Sequence, residues 1–465
     1  MDAFVIRGGR PLVGQFRVNG AKNAALPLMA AALLTDQPVT LRDVPDLSDV
    51  RNMRTLLAEL GCETQDPPTQ FTPPPGRPSP PRTLTLRTTV GTPVHARYEL
   101  VRTMRASVCV LGPLLARRGR ARVAMPGGCA IGDRPIDLHL RGLAALGASV
   151  ELDAGDAVLT APRGPGGERR LVGARVYLGG RFGSTVLGTA NVMAAATLAR
   201  GRTLIECAAC EPEIADLARL LTAMGARIDG AGTPRIVVDG VDRLGGADLT
   251  LVPDRIEAGT IMAAAAITGG RVTLTNCPID ALLAFTDILT AAGVTVEEEP
   301  GADLMRATCV VSRDTPLRPA HVTTQPHPGF PTDLQAQTMA LLALARGNSV
   351  ITERVFPQRF LHVAELTRMG ARLDHEGPSV VVSGVDRLVG APVMASDLRA
   401  SAGLVLAGLA AQGETTVRRV YHLDRGYERL DAALASLGAD IRRVRDGQPA
   451  APPAVGDFAP VAAGA

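Results

Sequence analysis

The residues best suited to chemistry stand at the starts of apolar segments that are rich in small side chains. The clearest of them is Lys22, the only lysine among 49 basic residues. Because arginine is used everywhere else, a lysine that persists indicates a position where a compact ammonium group cannot be replaced by a planar guanidinium. Chance survival at an indifferent surface position is the alternative explanation.

Charged residues precede three further apolar segments in the same way. Arg105 stands before one, Asp333 before another, and Asp397 and Arg399 before a third. A helix N-terminus presents unpaired N–H groups and the positive end of the helix dipole, so it favours anions. If these N-termini converge, they form a polyanion site with carboxylates among the cations, which suits proton transfer beside a bound phosphate. Each charge taken alone is explained equally well as an ordinary helix cap.

A glycine-rich stretch at residues 125–135 contains Cys129. Glycines on both sides of the cysteine predict a mobile loop of the kind that acts as a lid. Arg134 follows five residues later, and a neighbouring cation lowers the pKa of a thiol and raises its reactivity. A lone loop cysteine is usually inert, but this setting favours a function for Cys129.

The chain repeats one pattern six times. A stretch with helical periodicity ends at a glycine, and a strand-like run follows it. A glycine in that place fits a helix C-cap, which needs a left-handed residue. The six glycines are Gly61, Gly147, Gly225, Gly293, Gly370 and Gly438. Each repeat also carries an almost wholly apolar helix, at residues 24–34, 106–116, 189–199, 258–267, 334–345 and 400–411. Such units must pack together, so we predict an α/β fold of two domains with buried helices in the middle.

Composition excludes several classes of protein. A net charge of +3 is nearly balanced, and the basic stretch at residues 117–122 has no aromatic residue on which a base would stack, so we expect no nucleic-acid partner. No apolar run approaches the ~20 residues that span a bilayer. Seven scattered cysteines indicate a reducing compartment, hence the cytoplasm. Cys207 and Cys210 have no second ligand pair, and we predict neither metal nor cofactor.

Two segments fall outside the repeats. Residues 66–82 contain eight prolines, which predicts an extended insert in a hairpin loop. Docking of a proline-reading domain is the less favoured alternative. Residues 447–465 contain little beyond alanine, proline and glycine, so we predict a disordered tail.

Seven motifs together resemble the UDP-N-acetylglucosamine 1-carboxyvinyltransferase family. They are Gly-Ala-Lys-Asn-Ala (20–24), Arg-Thr-Met-Arg-Ala-Ser (102–107), Pro-Gly-Gly-Cys (126–129), Arg-Pro-Ile-Asp-Leu-His (134–139), Phe-Pro-Thr-Asp (330–333), Asp-Leu-Arg-Ala-Ser (397–401) and Asp-Arg-Gly-Tyr-Glu (424–428). The resemblance implies an inside-out α/β barrel, with one domain at residues 1–20 and 246–446 and the other at 21–245. It also implies transfer of an enolpyruvyl group from phosphoenolpyruvate to a nucleotide sugar, the first committed step toward peptidoglycan.

The resemblance implies a role for each matching residue. Cys129 would protonate the methylene carbon of phosphoenolpyruvate and react with fosfomycin, and Asp333 would hold the sugar 3′-hydroxyl as the base, with Asp397 in support. The residues implied for phosphoenolpyruvate are Lys22, Asn23, Arg134 and Arg425 at its phosphate and Arg359 and Arg399 at its carboxylate. The residues implied for the nucleotide sugar are Arg105, Arg134, Pro135, Ile136, Asp137, Leu138 and Val355, with Asp333.

Two segments depart from the family pattern. Residues 210–213 read Cys-Glu-Pro-Glu, where the family often has Arg-Glu-Pro-Glu. Residues 185–191 read Thr-Val-Leu-Gly-Thr-Ala-Asn, with no lysine just upstream, so Arg181 would have to supply the pyrophosphate contact. Two other functions stay open. The first is enolpyruvyl transfer to shikimate 3-phosphate, although the glycine-flanked cysteine favours the nucleotide sugar. The second is a non-catalytic protein that binds the nucleotide sugar.

Overall fold

The computed structural model describes residues 2–65, 81–89, 93–125, 136–299 and 303–445. Cys129, Arg134 and Pro135 therefore lie outside the described residues, as do nearly all of the proline-rich segment and the tail at 447–465. What the sequence predicts for these residues stays a prediction.

Helices and strands are interspersed along the described residues. The α-helices are α1 (Lys22–Ala31), α2 (Ser48–Glu59), α3 (Tyr98–Val101), α4 (Leu111–Arg118), α5 (Asp137–Ala145), α6 (Val186–Ala196), α7 (Pro212–Ala223), α8 (Arg255–Thr268), α9 (Leu283–Ala291), α10 (Gln335–Leu342), α11 (His362–Arg368), α12 (Leu398–Ala410) and α13 (Leu430–Ser436). The strands are β1 (Asp2–Arg7), β2 (Val13–Arg17), β3 (Val39–Val44), β4 (Cys62–Gln65), β5 (Arg82–Thr88), β6 (His95–Ala96), β7 (Arg120–Ala124), β8 (Ser149–Asp153), β9 (Asp156–Thr160), β10 (Arg175–Tyr177), β11 (Arg202–Glu206), β12 (Arg227–Asp229), β13 (Arg235–Asp239), β14 (Ala247–Thr250), β15 (Arg271–Cys277), β16 (Thr295–Glu298), β17 (Ala307–Ser312), β18 (His321–Thr323), β19 (Asn348–Thr352), β20 (Arg372–Glu376), β21 (Ser379–Ser383), β22 (Pro392–Met394), β23 (Glu414–Arg418) and β24 (Asp440–Arg445). Short 3-10 helices cover Ala32–Leu34, Arg105–Val110, Ile279–Leu282, Thr332–Leu334 and Val420–Arg425.

The strands of the described chain form six four-stranded sheets with one shared topology. Their orders are β14-β3-β5-β4, β6-β7-β9-β8, β10-β11-β13-β12, β2-β15-β17-β16, β18-β19-β21-β20 and β22-β23-β1-β24. In the first sheet β14 runs parallel to β3, whereas β3, β5 and β4 pair antiparallel. An apolar helix lies before the second strand of each unit and an amphipathic helix after it. The predicted α/β fold of six repeated units is confirmed.

Each predicted C-cap glycine has a left-handed backbone. The φ angles lie between 76° at Gly61 and 103° at Gly225, with the other four between them. A Cβ makes this region costly for other residues, so glycine ends the amphipathic helix of every unit before the next strand begins. The local glycine signal therefore identified all six repeats.

The apolar helices are buried, as predicted. Alanine and glycine let them approach closely, and a Cβ at Gly112 in α4 would overlap the main-chain oxygen of Asn191 in α6. Two predicted helices are partly 3-10: residues 32–34 follow α1 as a 3-10 helix, and residues 105–110 form another before α4 begins at Leu111. Pro113 disfavours an earlier start of α4, since its ring would clash with the carbonyl of Cys109 in a continuous α-helix, although α1 accommodates Pro27 in its interior. No helix in the described ranges is long and apolar enough to cross a membrane.

Buried apolar side chains form two clusters. One cluster, here called the inner core, runs from Ala21 to Val252, and the other, the outer core, takes residues 4–18 and 256–441. The corresponding parts of the chain are called the inner half and the outer half, after their positions in the sequence. The chain passes between them twice, and the two passages hydrogen-bond: the Ala21 N–H donates to the Val252 carbonyl at 2.7 Å and the Asp254 N–H to the Asn19 carbonyl at 2.8 Å. We propose that the cores are two domains, with the second boundary moved from residue 245 to about 253 because β14 pairs with β3.

Candidate functional site

Asp333 lies between two buried arginines of the outer core. It occupies the 3-10 helix before α10, and its Oδ1 accepts a hydrogen bond of 2.8 Å from Nη1 of Arg359. Nη2 of Arg399, in the first turn of α12, lies 3.3 Å from its Oδ2. The Asp333 side chain is 25% exposed, whereas those of Arg359 and Arg399 are 6% and 2% exposed. The carboxylate therefore faces the solvent side of a buried cationic pair.

Two buried nitrogens of the Arg399 guanidinium make no hydrogen bond of ordinary geometry, although the Tyr427 side chain lies close by. Nε and Nη1 are buried and have no hydrogen-bond partner among the described residues. The Tyr427 ring lies 5.2 Å from the guanidinium carbon. Burial alone would lower the pKa of Arg399, but Tyr427 and Asp333 outweigh burial and raise that pKa. A charged, buried fork with free N–H groups is suited to a planar anion such as a carboxylate.

Lys22 and Arg425 share the carboxylate of Asp49. Nζ of Lys22, the first residue of α1, lies 2.6 Å from Asp49 Oδ2, and Nε of Arg425 donates to Asp49 Oδ1 at 3.0 Å. Asp49 lies in the first turn of α2 and is buried. Lys22 and Asp49 belong to the inner half of the chain, whereas Arg425 ends a 3-10 helix beside the outer core. One buried acid thus brings together two cations from different parts of the fold.

Neighbouring charges perturb both members of the Lys22–Asp49 pair. Burial lowers the pKa of Lys22, and the cations Arg399 and Arg425 lower it further, against the opposing effect of Asp49. For Asp49, burial acts to raise the pKa, but Lys22 and Arg425 outweigh it, so the pKa of Asp49 is lowered. Arg399, which pairs with Asp333, therefore lies close enough to Lys22 to affect its pKa.

Glu353 orders the segment that carries Val355. It is fully buried, and its Oε1 accepts hydrogen bonds from the Val355 and Phe356 N–H groups at 2.8 and 2.9 Å. The Thr332 hydroxyl donates to Oε2 at 2.8 Å, directly beside Asp333. Glu353 therefore fixes Val355 relative to the Asp333 cluster.

Arg105 and the start of α5 come together in the inner core. Burial lowers the pKa of His139 to about 3, with a smaller contribution from the Arg105 guanidinium. Nδ1 of the neutral His139 ring meets Nδ2 of Asn191 at 2.9 Å. Ile136 is buried, Asp137 is exposed, and Leu138 packs against Gly180. Asn191, the last residue of the segment 185–191 that departs from the family pattern, thus packs against α5.

A cleft of about 530 Å³ lies between the two halves of the chain. Arg181 and Phe182 line it from the inner half, and Thr324, Glu353 and Arg354 line it from the outer half. Through Glu353 the cleft adjoins Thr332 and Asp333. Arg181 therefore faces the Val355 segment from across the cleft.

The predicted residues fall into three groups. Lys22 and Arg425 meet through Asp49, Asp333 meets Arg359 and Arg399, and Arg105 lies near α5. Asn23 follows Lys22 in α1 and is half-buried. Asp397 caps α12 by accepting hydrogen bonds from the Arg399 and Ala400 N–H groups, so it holds the backbone of Arg399.

Sequence reasoning missed Asp49 and Glu353. Asp49 follows Ser48 at a helix start, a pattern that ordinary capping also explains. Glu353 follows β19 directly, and a carboxylate at the end of a buried strand was the available signal. Neither local pattern reveals the partners.

The fold and the family match place the chain among the enolpyruvyl transferases. Residues 6–434 match the family model described as EPSP synthase (3-phosphoshikimate 1-carboxyvinyltransferase). The solved structure of the enolpyruvyl transferase NikO from Streptomyces tendae superposes with a TM-score of 0.81 at 26% identity, covering 95% of this chain and 98% of that one.

Curated relatives identify the family within the enolpyruvyl transferases to which the chain belongs. The chain is 53% identical to UDP-N-acetylglucosamine 1-carboxyvinyltransferase of an Anaeromyxobacter species over 95% of its length and 99% of the relative. It is 51% identical to the Rhodospirillum centenum protein of the same name, over 96% of its length and 100% of the relative. The chain belongs to the UDP-N-acetylglucosamine 1-carboxyvinyltransferase family.

Proposed function

We propose that the chain transfers the enolpyruvyl group of phosphoenolpyruvate to the 3′-hydroxyl of UDP-N-acetylglucosamine and releases phosphate. The observation that carries this proposal is the buried Arg399, which holds Asp333 with one nitrogen and keeps two donors free of protein partners among the described residues. Arg399 can bind an anionic substrate, and the partly exposed Asp333 carboxylate beside it can act as a base. The proposed reaction needs both.

Phosphoenolpyruvate would bind to two groups of cations, Arg359 with Arg399 and Lys22 with Arg425. Its carboxylate fits the free donors of Arg399 together with Arg359. Its phosphate fits Lys22 and Arg425, with Asn23 beside them and Arg134 supplied from outside the described residues. Holding both anionic ends fixes the reacting carbons between them, and such positioning lowers the barrier by removing the entropy cost of encounter.

Two proton movements would drive the addition step. Cys129 gives a proton to C3 of phosphoenolpyruvate, which makes C2 an oxocarbenium-like electrophile. Asp333 takes the proton of the sugar 3′-hydroxyl as its oxygen bonds to C2. The resulting tetrahedral intermediate then loses a proton from C3 and phosphate from C2, which restores the carbon–carbon double bond. Lys22 and Arg425 would stabilise the departing phosphate.

The nucleotide would lie along the cleft between the two halves. The residues proposed for it are Arg105, Ile136, Asp137, Leu138 and Val355, with Arg134 and Pro135 from the segment that is not described. Arg181 lines the cleft opposite Arg354, which supports the proposal that it contacts the pyrophosphate in place of a lysine upstream of residue 185. We propose a cytoplasmic location for this activity, since the cysteine pattern predicts a reducing compartment.

Phosphate release is the measurement that tests the proposal. The protein is incubated with phosphoenolpyruvate and UDP-N-acetylglucosamine, and in parallel with phosphoenolpyruvate and shikimate 3-phosphate. Release with the nucleotide sugar alone, blocked by fosfomycin, is the expected result. Release only with shikimate 3-phosphate would reassign the acceptor, and release with neither would favour a non-catalytic protein.

A further inference from the structure

Asp49 is a buried acid that the proposed chemistry does not use. Its side chain is 2% exposed, and that of its partner Lys22 is 10% exposed. Its Oδ2 lies 2.6 Å from Lys22 Nζ, and its Oδ1 accepts from Arg425 Nε at 3.0 Å. Both oxygens are therefore committed to the two cations that we assign to the phosphate of phosphoenolpyruvate.

The surroundings of Asp49 join the two halves of the chain. Just before it, the Ser48 hydroxyl donates to the Asp424 carbonyl at 3.2 Å. The Asp46 N–H donates to Oε2 of Glu428 at 2.8 Å. These bonds place the start of α2 against the 3-10 helix that ends at Arg425. The separation of Lys22 from Arg425 is thus set by one carboxylate at a contact between the halves.

We infer that Asp49 is a positioning residue that holds Lys22 and Arg425 side by side, one from each half of the chain, to receive the phosphate of phosphoenolpyruvate. The inference rests on the proposed function for the identity of the anion. It assigns to Asp49 a role that acts through its two partners, without contact to the substrate.

The charges around Lys22 explain why a counter-ion is needed. Asp49 approaches from α2, Arg425 from the 3-10 helix Val420–Arg425, and Arg399 from α12. Asp254, at the start of α8, accepts the main-chain N–H of Lys22 at 3.1 Å. Burial, Arg399 and Arg425 all lower the pKa of Lys22, and Asp49 opposes them. Without Asp49, the ammonium would lose its proton at a lower pH.

The composition of the chain gives a direct readout. Because Lys22 is the only lysine, protein labelled with ¹³C at lysine Cε gives one lysine signal, and its titration follows this ammonium group alone. In Asp49→Asn we expect the midpoint to fall by about one pH unit or more, the effect typical of a lost opposite charge at this distance. The KM for phosphoenolpyruvate should rise about tenfold or more, because a hydrogen bond to a charged group typically contributes at least that factor to binding. The KM for UDP-N-acetylglucosamine should stay near wild type.

Two further variants complete the experiment. Asp431→Asn removes a buried carboxylate that pairs with Arg429 at 3.2 Å, and it should leave the Lys22 midpoint and both KM values unchanged. Asp49→Glu keeps the charge but displaces it, so the midpoint should stay near wild type while the KM for phosphoenolpyruvate rises. This variant carries the test if circular dichroism shows that Asp49→Asn does not fold.

The outcomes separate the inference from the proposed function. An unchanged Lys22 midpoint in folded Asp49→Asn, or an unchanged KM for phosphoenolpyruvate in Asp49→Glu, would overturn the inference. Failure of the wild-type protein to release phosphate would overturn the proposed function alone, because the lysine titration requires no turnover. A lowered midpoint together with a selective rise in KM supports the positioning role.

Discussion

Replacing Asp333 with asparagine tests the base and the anion receptor together. The amide oxygen can still accept the hydrogen bond that Arg359 makes at 2.8 Å, so the geometry on that side should persist, whereas the amide NH2 cannot pair with Arg399. The amide cannot take a proton from the 3′-hydroxyl, and a general base contributes typically ~10²–10⁴-fold to rate. We therefore expect kcat to fall by this factor, about 2.7–5.4 kcal/mol at 1.36 kcal/mol per tenfold.

The same substitution should spare the binding of phosphoenolpyruvate. Arg359 and Arg399 lose the negative charge between them, so their guanidinium groups are left more available to the substrate carboxylate. The KM for phosphoenolpyruvate should stay constant or fall. The cost in stability should lie between the ~1 kcal/mol of an exposed ion pair and the ~3–5 kcal/mol of breaking a buried one, because the Asp333 side chain is 25% exposed.

The assay is the initial rate of phosphate release at saturating substrates, with urea unfolding measured in parallel. Asp239→Asn is a suitable control, since Asp239 is also paired with arginine: it accepts hydrogen bonds of 2.7 and 2.9 Å from Arg202 on an exposed sheet surface. That variant should keep wild-type turnover. A folded Asp333→Asn protein with kcat within tenfold of wild type would refute the assignment of Asp333 as the base.

Three further predictions address other parts of the site. Arg399→Lys removes the planar fork, and the KM for phosphoenolpyruvate should rise about 10–100-fold, as hydrogen bonds to charged groups are worth ~1.5–3 kcal/mol; an unchanged KM would contradict the carboxylate assignment. The pKa of buried His139 is lowered to about 3, so the free energy of unfolding should fall as pH drops below the unfolded value of about 6.5, by up to ~1.4 kcal/mol per pH unit. His139→Gln should reduce that slope in urea titrations, and an identical slope would show that His139 does not titrate on unfolding. Cys129→Ser should abolish turnover and the mass shift that fosfomycin causes, whereas a fully active serine variant would rule out Cys129 as the acid.

The parts of the fold that could be predicted obey local rules. A left-handed residue must end each amphipathic helix, and glycine adopts that backbone without strain, so Gly61 and Gly438 mark the first and last repeats in the sequence itself. The burial of the apolar helices follows from composition in the same way. The 3-10 helix at residues 105–110, by contrast, was not predicted.

The site could be predicted only where residue type is unusual. Lys22 stood out because no other lysine competes with it. Asp49 did not, because its partner Arg425 lies 376 positions away and no local pattern connects them. Asp397 and Asp333 both precede apolar helices, yet only Asp397 caps its helix through its side chain, whereas Asp333 faces two arginines. Tertiary packing separates these two uses of the same sequence pattern.

The order in which sheets are completed has a consequence for synthesis. Every strand of the three inner sheets lies between residues 39 and 250, so this half can fold once about 255 residues have left the ribosome. β1, by contrast, lies between β23 and β24, the last strands described, and must wait with both edges unpaired for nearly the whole chain. Unpaired strand edges invite association with other chains. We expect the segment that becomes β1 to stay unpaired while the inner half folds, which would make the nascent chain a substrate for chaperones.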